Sequence, residues 1–388
     1  MKKFIKVTFL SASCLAVLFS AGCAKGKYTI YTNIPQNMFE ISDSNYTLGG
    51  LIEGYEEGGY GDVIVDHTGF TTKSRTYYSM NADARLLVSG DFTSEEGLKK
   101  YEAFSMAVGT VLSAVDAALS PSFETSDIGK FNAAAAGEEV PVSEITYNVL
   151  KIAKDVYELT EGYYNPALYY NVLAYGFSTA HDYPKTSADL PADEDIEKYT
   201  RLSKQFGNIT LREDEGLYYA TKPMETVEVG GKTLTLKLDL GGIGKGYAVD
   251  MIDELFKTYG YNYGYFNFAS SSMLIKMNMP DIDYNVGFAG PRSPARAPYL
   301  TTKVRNAKLS TSGDNEQFYI IDGVRYSHII DATTGKPVQT GIMTATVIYG
   351  SAAENDALTT AIMAMGRERA CEFIQTKLTE KAVAFAVE

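Results

Sequence analysis

Asp356 and Thr360 stand four apart in Asp356-Ala-Leu-Thr-Thr360, which places a carboxylate and a hydroxyl on one face of a helix. Oxygen donors of this kind suit a hard cation such as Mg²⁺, which usually bridges substrate phosphates. The competing reading is an acid near a helix start, balanced against the helix dipole. Leu358, Ile362 and Met365 are then expected on the buried face. A second constellation is His328-Ile-Ile-Asp331-Ala-Thr-Thr-Gly335-Lys-Pro337. A His and an Asp three apart at a strand end can reach one pocket, or can be a satisfied histidine and an Asx turn. The third is Leu234-Thr-Leu-Lys-Leu-Asp-Leu-Gly-Gly-Ile-Gly-Lys-Gly-Tyr-Ala-Val-Asp250. Its leucines alternate with polar residues as in a half-buried strand. Gly241, Gly242, Gly244 and Gly246 then read as a bare turn. A helix follows, with Tyr247, Ala248, Met251, Ile252, Leu255 and Phe256 on one face and Gly260 as its stop. Bare backbone at a helix N-terminus can hold a phosphate, and it can equally serve close helix packing. The spacing fits neither the dinucleotide Gly-x-Gly-x-x-Gly nor a P-loop, because Gly246 stands where a P-loop needs Ser or Thr.

These residues need elements to carry them. Glu144–Leu159 has a helical stripe of Ile145, Val149, Ile152, Ala153, Val156 and Tyr157. Further helices are expected at about 353–366 and 368–378, and strands at 263–275, 283–289 and 315–321. Residues 106–119 are ambiguous between helix and strand. Residues 24–100 differ in composition, rich in Gly, Tyr, Asp, Ser and Thr, and read as a stalk or a small β-rich appendage.

The 388 residues, 45% of them hydrophobic, can bury a substantial core. With a net charge of −13 and no run of Lys or Arg, nucleic acid is excluded as a partner. Lys2, Lys3 and Lys6, the apolar stretch Val7 to Phe19 and Ser20-Ala21-Gly22-Cys23 read as a bacterial lipoprotein signal. Cleavage before Cys23 would leave a lipid on its thiol and the protein on the outer side of the cell membrane. Beyond this signal no segment is expected to span a bilayer. Cys14 leaves with the signal and Cys23 carries the lipid, so no intrachain disulfide is expected. Three histidines (His67, His181 and His328) give no zinc spacing.

In this order and spacing the motifs resemble the ApbE family, the FAD:protein FMN transferases. Leu238–Asp250, Ser310-Thr-Ser-Gly-Asp314, Tyr326-Ser-His-Ile-Ile-Asp331-Ala-Thr-Thr-Gly335 and Asp356–Ala361 all stand where that family has them. So do Ser126-Asp-Ile-Gly-Lys-Phe-Asn132 and Thr160-Glu-Gly-Tyr-Tyr-Asn-Pro166. The likeness covers about residues 103–388. With the signal read above, the expected organisation is a signal peptide at 1–22, an extension of unknown role at 23–102 and an ApbE-like domain at 103–388. The implied fold is α+β, with mixed sheets, packed helices and FAD in a cleft between two lobes.

The implied activity moves the FMN half of FAD onto a Ser or Thr hydroxyl of an extracytoplasmic acceptor protein, with Mg²⁺, releasing AMP. Some relatives hydrolyse FAD to FMN and AMP, and a non-catalytic FAD-binding lipoprotein is the remaining alternative. Carried over, the metal ligands are Asp356, Thr360 and the Gly242 carbonyl. The flavin pocket takes Val108 (in Val108-Gly-Thr110, where the family has Met-Gly-Thr), Phe123, Tyr163, Tyr164 and Asn165. Asp239 and Lys245 contact FAD, Ile330 packs nearby, and His328 and Asp331 are the candidates for activating the hydroxyl. The family's glycine pair appears here as Asn267-Phe-Ala-Ser-Ser-Ser272. Asp66-His-Thr-Gly-Phe-Thr-Thr72 faintly resembles an acceptor motif, with Thr71 at the modified position; a Thr-rich turn between strands is the simpler reading.

Overall fold

A computed structural model describes residues 28–388 apart from 44, 52–70, 178–182, 279–282 and 294–296. Cys23, the signal segment and most of the Asp66–Thr72 motif therefore lie outside the described residues.

The architecture is α+β. One nine-stranded sheet forms its centre, built from β1 (Tyr28–Thr32), β2 (Tyr46–Leu51), β3 (Thr71–Ser79), β4 (Ala82–Gly90), β5 (Tyr263–Phe268), β6 (Ser272–Met277), β7 (Ala307–Gly313), β8 (Ile342–Ile348) and β9 (Ala382–Val387). Their spatial order is β2-β1-β9-β8-β7-β6-β5-β4-β3. Only β1 and β2 run parallel; every other neighbouring pair is antiparallel. Alternation along a strand serves both faces. In β9, Val383 and Phe385 enter the main core, while Ala382, Ala384 and Ala386 enter a second core with Ile275, Leu309 and Tyr299.

The expected boundary near residue 103 is not a structural one. The residues read as a stalk or appendage supply β1, β2, β3 and β4, which occupy the two ends of the central sheet. Thr71 opens β3, and its hydroxyl donates to the Gly90 carbonyl at 2.8 Å. It therefore behaves as an exposed strand residue. Low apolar content hid these strands, because β3 is an edge strand with mostly exposed side chains.

The helices are α1 (Glu95–Leu119), α2 (Asp127–Ala133), α3 (Glu144–Leu159), α4 (Tyr169–Ala174), α5 (Asp193–Ser203), α6 (Gly241–Thr258), α7 (Ala352–Met365) and α8 (Arg367–Lys377). Helix α1 resolves the ambiguity at 106–119. Contrary to expectation, it is long and apolar enough, by length and composition, to cross a membrane. Its inner face packs into the core all the same: Phe104 lies 5.2 Å from Phe256 and 4.8 Å from Tyr261, centroid to centroid.

The glycine run also differs from its reading. The strand it was expected to follow ends at Thr235, and Leu236–Leu240 is extended chain outside any sheet. The glycines are the first turns of α6 and not a loop before it. Gly260, at φ +65°, does close that helix. Helix α7 is buried on nearly every side, so the expected split into a polar and an apolar face is replaced by burial all round.

Candidate functional site

Helices α6 and α7 are tied by two carboxylates working in opposite directions. Asp250 of α6 caps α7: its carboxylate accepts the Ala352 and Ala353 N–H groups at 2.9 and 3.0 Å and the Ser351 hydroxyl at 2.7 Å. Asp356 of α7 accepts the Gly246 N–H of α6 at 3.1 Å. Close approach makes both ties possible. A Cβ on Gly246 would sit 2.2 Å from the Ala352 carbonyl oxygen, where no side chain fits. The packing reading of Gly246 is thus the correct one. Gly244 is less tightly packed: a Cβ there would lie 3.3 Å from Leu119 Cδ1.

Asp356 is only 3% exposed. Burial pushes its carboxyl up from the usual range, against the pull of the Lys245 charge, the Gly246 N–H and the Ser272 hydroxyl. No ion pair reaches it among the described residues. Thr360, half-buried one turn on, leans back towards the Asp356 carbonyl at 3.5 Å. Gly242 comes beside it: a Cβ there would lie 3.5 Å from Thr360 Oγ1 and 3.7 Å from the Tyr164 ring. Tyr164 is buried and its hydroxyl has no hydrogen-bond partner. That hydroxyl is held protonated by burial, reinforced by the charges of Asp356 and Asp239. Gly242, Thr360, Asp356 and Tyr164 therefore converge.

Among the described residues no group of three or more His, Cys, Asp or Glu could hold a metal. The side-chain donors that converge are the Asp356 carboxylate and the Thr360 and Tyr164 hydroxyls, with the Gly242 backbone alongside. All are oxygen, and the carboxylate is buried without an ion pair among the described residues. Such a set fits a hard cation whose remaining positions go to water and substrate phosphate, as Mg²⁺ prefers.

His328 also feels the Lys245 charge. Burial lowers its imidazole below the ordinary histidine range, opposed by its bond to Gln317 and helped by Lys245. Nδ1 lies 3.3 Å from the Gln317 carbonyl. A carbonyl can only accept, so Nδ1 carries the proton and Nε2 keeps a lone pair. An aromatic group not singled out in the sequence backs the ring. Phe177 meets it edge-on at 6.4 Å, and Tyr319 stacks on Phe177 at 5.5 Å and on Tyr326 at 5.2 Å.

Asp331 is differently employed. Oδ1 accepts the Thr333 N–H at 2.8 Å and hydroxyl at 2.7 Å, and Oδ2 accepts the Thr334 hydroxyl at 3.0 Å. This is an Asx turn, closed by Gly335 at φ +72°. Asp239 likewise accepts the Gly241 N–H at 2.8 Å and so caps the start of α6. Lys245 reaches back to the Gly241 carbonyl at 3.3 Å.

Among the described residues, the remaining predicted residues make no hydrogen bond or ring contact with this cluster. Val108 is fully buried in the core face of α1, which leaves it no surface for a flavin. Phe123 is 54% exposed in the connection after α1. Asn165 spends its amide on the Ser203 carbonyl at 3.1 Å and the Ala167 N–H at 2.9 Å. Tyr163 is half-buried against the core, and Ile330 is buried with Tyr175, Phe177 and Tyr319. Ser272 and Asp250 were missed. Only three-dimensional proximity marks Ser272. Asp250 had a signal, as the acid that ends the glycine motif.

Residues 76–385 match the ApbE family. A relative from Treponema pallidum, named FAD:protein FMN transferase, is 28% identical over 278 residues, covering 69% of this chain and 73% of its own length. A relative of the same name from Vibrio cholerae is 25% identical, covering 72% and 78%. The crystal structure of the ApbE protein from Thermotoga maritima superposes with a TM-score of 0.66 at 24% identity, covering 81% of this chain and 93% of that one. The apo flavinyl transferase ApbE of Pseudomonas stutzeri gives a TM-score of 0.65 at 22% identity, covering 84% and 93%. The match begins within β3, well before residue 103, in keeping with the place of β3 and β4 in the sheet. The chain belongs to the ApbE family.

Proposed function

We propose that this protein is an FAD:protein FMN transferase that uses Mg²⁺, takes a Ser or Thr hydroxyl of an acceptor protein as nucleophile and releases AMP. The observation that carries the proposal is Asp356. It is a buried carboxylate without a counter-ion, beside Thr360 and Gly242, in a chain whose relatives are named for FMN transfer. Asp356, Thr360 and the Gly242 carbonyl would hold the cation. Bound there, Mg²⁺ would neutralise pyrophosphate charge and polarise the phosphorus under attack.

The chain's own residues supply positioning and proton transfer. The acceptor oxygen forms a bond to the FMN phosphorus, the pyrophosphate P–O bond breaks, and AMP leaves. His328, neutral with Nε2 free, takes the hydroxyl proton. Asp331, its oxygens engaged in the turn, holds the loop that carries His328. Lys245, whose charge acts on both His328 and Asp356, would stabilise the phosphate charge that builds up during transfer. Tyr164 and Asp239 would line the flavin side; Tyr163, Asn165 and Phe123 are assigned to it from the family likeness alone.

The signal sequence places the enzyme outside the cytoplasmic membrane, tethered through lipid on Cys23. Metabolic labelling with a fatty acid should mark the wild-type protein and spare Cys23→Ala.

One incubation with FAD, Mg²⁺ and an acceptor domain separates the readings. Covalent flavin on the acceptor with stoichiometric AMP is expected. Free FMN and AMP would make the protein a hydrolase, and unchanged FAD a binding protein.

A further inference from the structure

Leu236–Leu240, the stretch leading to Asp239 and α6, lies outside every sheet although its leucines are buried. Its backbone must therefore find partners elsewhere. Asn132, the last residue of the Ser126–Asn132 motif, provides them. Its Nδ2 donates to the Leu238 carbonyl at 2.9 Å, and its Oδ1 accepts the Leu238 N–H at 2.7 Å. One side-chain amide thus reproduces both hydrogen bonds of a strand neighbour.

Lys222 stands behind it and is 1% exposed. Its ammonium has no carboxylate partner in the ion-pair network of the described residues. It donates to the Asn132 carbonyl at 3.3 Å, the Ala134 carbonyl at 2.9 Å and the Thr235 hydroxyl at 3.2 Å, and lies 5.1 Å from the Phe131 ring centre. At the far end the Asp239 N–H donates to the Pro166 carbonyl at 2.8 Å. Pro166 directly follows Tyr164 and Asn165.

We infer that Asn132 and Lys222 are positioning residues of the transfer site. They hold Leu236–Leu240 so that Asp239 and Gly242 stay in register with Tyr164 and Thr360. Neither touches the reacting atoms. Each acts through the strap, which joins the Thr160–Pro166 turn to the first turn of α6. The carbonyls that Lys222 gathers fix the end of α2, and with it the direction in which the Asn132 amide points.

This inference builds on the proposed FAD site, and two measurements keep them separate. The first is hydrogen exchange of the full chain without ligand. Asn132→Ala and Asn132→Asp should speed exchange in residues 236–244 at least tenfold and leave α3 and α8 unchanged. Asn132→Asp keeps the acceptor for Leu238 N–H and loses the donor, so it tests the clamp even where the alanine variant folds poorly. Lys222→Met should speed the same peptide by a smaller factor. The second is FAD titration by flavin fluorescence with and without Mg²⁺. Wild type should bind, and the Asn132 variants should bind at least tenfold more weakly. Unchanged exchange in 236–244, or equal acceleration in α3 and α8 for both variants, would overturn the positioning role. A wild type that ignores FAD while its strap stays protected would overturn the FAD site and leave the clamp standing.

Discussion

The α6–α7 pair and the His328–Pro337 loop each bring an acid to the candidate site, and they treat it in opposite ways. Asp356 is buried, takes a backbone N–H from α6, feels the Lys245 charge only at a distance and forms no ion pair among the described residues. Asp331 sits on a loop with both oxygens satisfied by the loop's own donors. An acid whose lone pairs are spent locally shapes the chain. One kept dry and under-compensated is poised to take a cation. Spacing alone made the two acids look alike, and their surroundings give them different work.

The largest effect should follow from removing the Asp356 charge. Asp356→Asn keeps the shape and should lower FMN transfer by about a thousandfold or more, as expected for losing a metal ion's transition-state stabilisation. Stability should move the other way without metal. A folded carboxyl raised above its unfolded value binds protons that the unfolded chain has released. The stability tied to this group is therefore full below the unfolded value and is lost as pH rises through the folded one. At neutral pH, metal-free Asp356→Asn should melt at or above wild type. Saturating Mg²⁺ should raise the melting temperature of wild type only, with a gain of about 2.7 kcal/mol at a hundredfold excess over Kd. Full transfer by the variant at saturating Mg²⁺ would break the contrast with Asp331.

His328→Gln should reduce kcat by about 10² to 10⁴ with little change in melting temperature. Because burial depresses the His328 imidazole, the acid limb of the rate profile should fall below the ordinary histidine range. The linked stability is present above the unfolded value and declines as pH drops through it towards the folded one. An acid limb that persists in His328→Gln would remove the residue as the base.

Gly246→Ala tests the ties between the helices. Its Cβ would press on the Ala352 carbonyl and force α6 and α7 apart, at a cost of about 3 kcal/mol in chemical denaturation. A loss under about 0.5 kcal/mol would mean that the helices can separate freely.

The smallest effect belongs to Asp331. Asp331→Asn keeps one acceptor oxygen for the Thr333 N–H and hydroxyl, can donate its amide to the Thr334 hydroxyl oxygen, and should keep transfer within about threefold of wild type. Asp331→Ala should cost about 1 kcal/mol, the scale of a lost cap. A hundredfold loss in Asp331→Asn would return this acid to a direct catalytic role.

Much of this site was legible in the sequence because its parts are local. Glu144–Leu159 shows its stripe and is α3 in full, and the helices expected near 353 and 368 appear as α7 and α8. The Asx turn at Asp331 and the stop at Gly260 follow from residue type. What could not be read was long-range. Glycines that look like a loop become a helix only because Ala352 of α7 lies against Gly246. The alternating leucines at 234–240 promise a strand, but Asn132, more than a hundred residues away, replaces the missing neighbour. Thr71–Ser79 forms an edge strand of the main sheet, where exposure removes the apolar pattern that would have revealed it.

The central claim is that Asp356 holds a cation for transfer of FMN to a protein hydroxyl. Intact-mass measurement of an acceptor domain, after incubation with FAD and either wild type or Asp356→Asn, tests it most directly. The account predicts an FMN-sized adduct on the acceptor with wild type, lost on adding EDTA and absent with the variant. An unmodified acceptor with wild type and Mg²⁺, or an equal adduct with the variant, would contradict it.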